Sequence, residues 1–138
     1  MRVLLDTCTI SEIARQDGSQ QVRTVVDAID DDDLFLSVIS VGEITKGIGL
    51  LEPGKRRSAF EIWLAGLRSD YAERVLPVDA AIASLWGELT AKARRNGRIV
   101  GVADGLIAAT ALRHGLHVAT RNVSDFEPTG ALILNPWD

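Results

Sequence analysis

Sulfur and imidazole are scarce in this chain. Among 138 residues there is one cysteine, Cys8, and two histidines, His114 and His117. A lone cysteine forms no intrachain disulfide, which points to a reducing, cytoplasmic setting. Without a Cys or His cluster there is no donor set for zinc. No Ser or Cys stands with a histidine base in a pattern that would support covalent catalysis. Long apolar runs are also missing. None approaches the ~20 residues of a membrane span, and the first is cut at Asp6, which argues against a secretory leader and any membrane role. An excess of positive charge is absent too. Fifteen Lys and Arg face 19 Asp and Glu, a net charge of −4. That balance speaks against broad, non-specific nucleic-acid binding, while a local basic path to an acidic site remains open.

What is present is core. At 46% hydrophobic, a chain of this length folds as one domain, residues 1–138, and buries roughly two-thirds of its unfolded surface. No repeat, linker or low-complexity tract interrupts it. Val3, Leu4 and Leu5 make a short buried strand that stops at Asp6. Thr7 to Thr9 read as a turn, and Thr9 with Glu12 has the spacing of a helix capping box. Val22, Val25, Val26 and Ile29 recur at helical spacing, and the acidic run Asp30 to Asp33 reads as a solvated loop. Leu34 to Ile39 is a second strand. Ser40 and Glu43 again have capping-box spacing, before a helix carrying Ile44, Ile48 and Leu51.

Residues 53–57 form a basic turn. With Gly49 and Gly54 they approach the phosphate-loop pattern, but Arg56 stands where the Mg²⁺-binding hydroxyl belongs and the stretch follows a helix, so a nucleotide loop is set aside. Helical spacing resumes at Ile62, Leu64, Leu67 and Tyr71. Arg74 to Val78 reads as an edge strand that tolerates Pro77. Asp79 caps a long amphipathic helix through Ala93, and a nearly all-apolar helix spans 103–112. Strands at 116–120 and 131–134 follow, separated by the polar segment Arg121 to Phe126. Strands alternating with helices predict a three-layer α/β/α domain on a central parallel sheet.

Carboxylates recur at strand ends and helix starts. Asp6 ends the first strand, Glu43 opens the helix after the second, Asp104 opens the buried helix, and Asn122 with Asp125 follows the fourth strand. In open α/β sheets that carboxyl edge is where ligands bind. Asp6, Glu43 and Asp104 taken alone also read as caps, Asp6 and Glu43 especially. Together they pose an electrostatic problem, because two carboxylates about 4 Å apart repel by roughly 4 kcal/mol at an effective dielectric near 20. They must stay partly protonated, spread apart, or share a divalent cation, and hard oxygen ligands suit Mg²⁺ or Mn²⁺. Such an ion suits phosphate substrates. Arg121, then Lys46, are the basic residues best placed to meet one.

These segments carry a resemblance. Val3-Leu-Leu-Asp6-Thr7, Ser40-Val-Gly-Glu43, Ala103-Asp104-Gly-Leu-Ile-Ala-Ala-Thr-Ala111, Val118-Ala-Thr-Arg-Asn122-Val-Ser-Asp125-Phe126 and Asn135-Pro-Trp137 together resemble a PIN domain. More narrowly they are similar to VapC-type toxins, in the branch that includes FitB. The resemblance implies a Mg²⁺- or Mn²⁺-dependent endoribonuclease, dimeric as a rule and blocked by a small VapB-type antitoxin. It implies contact with DNA only through that antitoxin. Asp6 and Asp104 would be metal ligands, and Glu43 would bind directly or through water. Either Asn122 or Asp125 would complete the site, and Cys8 replaces an Asn common in relatives, at the expense of a hydrogen bond. Two other classes compete. A haloacid-type phosphatase needs a second acid two residues after Asp6, where Cys8 stands, and a phospho-receiver needs an acidic pair and a late Lys. A catalytically silent partner in a DNA-bound repressor would not need Asp6, Glu43 and Asp104 together.

Overall fold

A computed structural model describes all of residues 1–138. Five short strands form one parallel sheet: β1 (Val3–Leu5), β2 (Leu34–Ser37), β3 (Val75–Leu76), β4 (His117–Ala119) and β5 (Ile133–Leu134), in the order β3-β2-β1-β4-β5. Seven α-helices connect them: α1 (Thr7–Ala14), α2 (Gln20–Asp27), α3 (Val38–Gly49), α4 (Lys55–Asp70), α5 (Ala80–Arg95), α6 (Val102–His114) and α7 (Val123–Phe126). The first strand is therefore the central one. Val3 pairs with Leu34 on one side and His117 on the other.

Alternation along β1 builds two cores. Val3 and Leu5 join Ile10, Val22, Ile44 and Leu64, from α1 to α4, in a cluster on one face. Leu4 faces the other way and packs with Ile107, Ala111, Val118 and Phe126, under α6 and α7. Helix α5 lies over α6 through Ile82, Leu89 and Ala109. The layers are helix, sheet, helix, as the alternating pattern predicts. A fully buried Leu or Ile such as Leu4 or Ile107 contributes about 2 kcal/mol of transfer free energy, so these short strands are held by their faces rather than by their length. No helix is long and apolar enough to cross a membrane.

Local expectations were corrected at five places. Residues 7–9 are helix, not turn: α1 starts at Thr7, and Asp6 is its N-cap, accepting the Thr9 backbone N–H at 2.8 Å. Asp outranks Thr as a cap, and Glu12 accepts from the backbone N–H of Ser19 instead. The second strand stops at Ser37, whose hydroxyl caps α3 by accepting from Ile39. Ser40 and Glu43 thus lie inside α3 and form no capping box. The acidic run folds as a 3-10 turn over Asp31–Asp33. Lys55 to Arg57 are the first turn of α4 rather than a loop, and the polar segment after β4 contains α7. Asp79 caps α5 as its position predicts, accepting from Ile82 at 2.8 Å.

Candidate active site

The chain runs β1, β2, β3 to one side and then crosses to β4 and β5 on the other. The switch point therefore falls between β1 and β4, and crevices at such points are where open α/β sheets bind ligands. Asp6 leaves β1 there, and Asn122 leaves the adjacent β4. A cleft of about 380 Å³ opens above them, lined by Asp6, Thr7, Cys8, Glu43, Asp104 and Asn122, with Ser11, Glu12 and Arg15 at its side.

Each acid reaches the cleft by a different route. Asp6 is buried, 4% exposed. One carboxylate oxygen holds the first turn of α1, and the Cys8 thiol lies 3.1 and 3.2 Å from its two oxygens. The backbone N–H of Asp6 donates to Ala119 at 3.1 Å, and the Thr9 hydroxyl donates to the same carbonyl at 2.9 Å. These bonds pin α1 to the end of β4. Asp104 stands in the first turn of α6, where the exposed amides and helix dipole favour a negative charge. Even so its carboxyl is pushed above the ordinary 3.8, first by burial, then by the charges of Asp125, Asp6 and Glu43. Asp104 thus feels three acids from three other segments.

Glu43 projects from the second turn of α3. The Thr7 hydroxyl donates to its Oε1 at 2.6 Å and lies 3.0 Å from Ser40 Oγ. Thr7 is the residue that sequence reasoning missed. Its signal was adjacency to Asp6, obscured by reading it as turn. Cys8 keeps its proton at neutral pH, because burial and then the Asp6 charge push the thiol up to about 11. It acts as a donor to Asp6 and not as a nucleophile.

The remaining candidates divide. Asn122 lines the cleft, its amide 3.8 Å from Cys8 Sγ. Asp125 is exposed and outside the lining, yet its charge is the largest carboxylate influence on Asp104. Arg121 is exposed, with its guanidinium 5.6 Å from the centre of the Trp137 ring. Lys46 is exposed on α3 and does not line the cleft, whereas Arg15 does.

Among its donors only oxygen offers hard ligands, the set that suits Mg²⁺ or Mn²⁺. The side chains stand apart: no three His, Cys, Asp or Glu groups are gathered closely enough to hold an ion as they stand. Mutual repulsion favours that spacing in the absence of an ion.

A parallel sheet with a carboxylate-lined crevice at its switch point and no thiolate or imidazole nucleophile defines an acidic-site α/β protein. The PIN domain profile matches residues 3–129, and the chain belongs to the PIN-domain family. It is 41% identical to VapC ribonuclease Y4jK of Sinorhizobium fredii, over 99% of this chain and 98% of that one. It is 35% identical to toxin FitB of Neisseria gonorrhoeae, over 98% of each. The crystal structure of FitAcB from Neisseria gonorrhoeae superposes with a TM-score of 0.93 at 35% identity, covering 98% of both chains. That of FitAB bound to an IR36 DNA fragment gives 0.93 at 34%, covering 99% of this chain and 96% of the other.

Proposed function

We propose that this chain is a Mg²⁺- or Mn²⁺-dependent endoribonuclease, the toxin of a VapBC-type toxin–antitoxin pair. The observation that carries the reading is the convergence of Asp6, Glu43 and Asp104 on one switch-point cleft in a PIN-domain chain. Full-length likeness to a VapC ribonuclease and to toxin FitB supports the activity. Likeness to chains solved as FitAcB and FitAB supports a small antitoxin as partner, with DNA reached through it. A homodimer and a cytoplasmic location belong to the same reading.

Asp6, Asp104 and Glu43 would hold the ion, with Asn122 or Asp125 completing the set. When bound, the ion supplies positive charge to the phosphodiester and acidifies water within its reach. Asp6 is held in place by Thr9 and Cys8, so its position costs nothing to organise at the moment of reaction. Thr7 fixes one oxygen of Glu43, and the other would face the ion, directly or through a water that it orients. The Asn122 amide is an uncharged donor for a non-bridging phosphate oxygen, while Arg15 at the rim is already paired with Glu12 and Asp17, at 3.6 and 3.4 Å.

Incubating the purified chain with RNA, with Mn²⁺ or Mg²⁺ and with chelator, tests this directly. Cleavage is expected only with metal, and is expected to be lost in Asp6→Asn and Asp104→Asn. Undiminished cleavage by both variants would remove the acids from the chemistry.

A further inference from the structure

The last turn of α5 and the loop after it hold a concentration of charge that the cleft chemistry leaves unused. Lys92, Arg94, Arg95 and Arg98 are four of the chain's 15 cations, and no Asp or Glu lies between Glu88 and Asp104. All four are exposed, and none enters an ion pair. The helix is closed by a left-handed glycine, Gly97 at φ 76°. The backbone N–H of Gly97 donates to the Arg94 carbonyl at 3.0 Å, and that of Arg98 to the Ala93 carbonyl at 2.9 Å. This closure folds Arg98 back beside the last turn. Cations suit the C-terminal end of a helix dipole, which accounts for Lys92, Arg94 and Arg95. It does not account for Arg98, beyond the helix, nor for the lack of any acid to relieve their mutual repulsion.

The loop runs on to Gly101, the N-cap of α6. A methyl group on Gly101 would stand 3.9 Å from Oδ2 of Asp104, so the loop ends against that carboxylate. Arg98 comes three residues earlier, and its Cα therefore lies within about 11 Å of that glycine. We propose that Arg94, Arg95 and Arg98, with Lys92, form a docking surface for the RNA backbone flanking the phosphate in the cleft. The inference rests on the ribonuclease reading above and gives the substrate strand its path away from the acids. A polyanion passing Asp6, Glu43 and Asp104 meets repulsion, and fixed cations alongside offset it. In a chain of net charge −4 such an excess must be local. These four sit on a helix end and a closed turn, so little ordering is needed when phosphates arrive. Ile99 and Val102, 90% and 63% exposed, lie on the same stretch and would also suit an anionic membrane surface. Adjacency to Asp104 favours RNA: a strand bound at that carboxylate continues past this loop, and a bilayer gains nothing from the acids.

The test measures binding of a short mixed-sequence single-stranded oligoribonucleotide to the full chain in chelator, across a salt series. The Arg94→Gln, Arg95→Gln, Arg98→Gln triple variant is expected to lose at least about tenfold in affinity at ~0.1 M salt. Its dependence of log affinity on log salt should be shallower by about 2. An Arg68→Gln, Arg113→Gln control removes charge from α4 and the far end of α6, and should leave that slope unchanged. With Mn²⁺, the triple variant should cleave with raised KM and unchanged kcat. Melting curves establish folding, and Arg98→Gln alone, outside the helix, should remove about 0.7 of the slope where the triple variant does not fold. Wild-type affinity and slope in folded loop variants would overturn the proposal, as would an equal loss in the control. So would loop variants that keep RNA affinity and lose binding only to vesicles of anionic phospholipid. Failure of the ribonuclease reading looks different: the wild type cleaves no RNA with metal, whatever the loop variants bind.

Discussion

Single residues here carry more than one duty, and substitution can separate them. Glu43 lies within α3 and accepts from Thr7, so Glu43→Gln keeps a carbonyl for that hydroxyl and removes only charge. Its melting temperature should match wild type, while RNA cleavage falls on the order of a hundredfold, about 3 kcal/mol in the barrier. Ser37→Ala is the complementary change: it deletes the real cap of α3, lowers stability by about 1 kcal/mol, and spares cleavage. Full activity of Glu43→Gln at limiting metal would take Glu43 out of the site. Asp104 makes a second prediction, through pH. Burial, then Asp125, Asp6 and Glu43, raise its carboxyl above 3.8, so the folded state holds that proton more tightly than the unfolded chain. In chelator, stability should therefore decline as pH rises from the ordinary carboxylate range through the raised value, and remain reduced above it. Asp104→Asn should flatten that decline and be at least as stable as wild type at neutral pH. Urea titrations across acid pH measure both curves, and coincident curves would mean Asp104 is not strained.

At the scale of elements, the placement of Asp104 depends on its neighbour. Gly105 is buried where α6 meets α5. A methyl group there would stand 2.9 Å from Trp86 Cδ1 and Nε1 and 3.2 Å from Thr90 Cγ2. An indole cannot recede from that contact without moving α5, so Gly105→Ala should destabilise by about 1–3 kcal/mol. It should also weaken metal-dependent cleavage, since the first turn of α6 carries Asp104. Thermal melts with and without Mn²⁺ would show it, and a silent substitution would mean that the helices part easily. The capping signals explain why some local structure was not legible. Ser37 and Ser40 are equally good caps by type, and although Asp outranks Thr, Thr9 carried the capping-box Glu three residues on that Asp6 lacked. The choice was made by where β1 and β2 stop pairing, at Leu5 with Leu36, which no short spacing reveals. Asp79 had no rival nearby and was legible. Gly115, at φ 67°, ends α6 and releases the chain into β4.

For the whole molecule, the layer order and the convergence of acids were legible because both follow from coarse alternation. Apolar runs of three or four residues between helical segments force a parallel sheet, and a carboxylate ending such a run lands at its carboxyl edge. The contacts of Thr7 and the lining of the cleft were not legible, since they arise between segments that only the sheet order brings together. A metal prediction tests that shared edge. Mn²⁺ or Mg²⁺ should raise the melting temperature of wild type, by mass action on the folded state alone, and should not do so for the Asp6→Asn, Asp104→Asn double variant. Equal stabilisation of both would place the ion elsewhere. The central position of β1 also has a consequence for the chain during its synthesis. The first strand leaves the ribosome early, but one of its two partners is β4, and Asp104 is made only in the last third of the sequence. Nascent and prematurely terminated chains lacking that third hold Asp6 and Glu43 without the rest of the cleft. The crevice is therefore a property of the sheet once β4 and α6 have joined β1, and no part of the chain before Asp104 holds it alone.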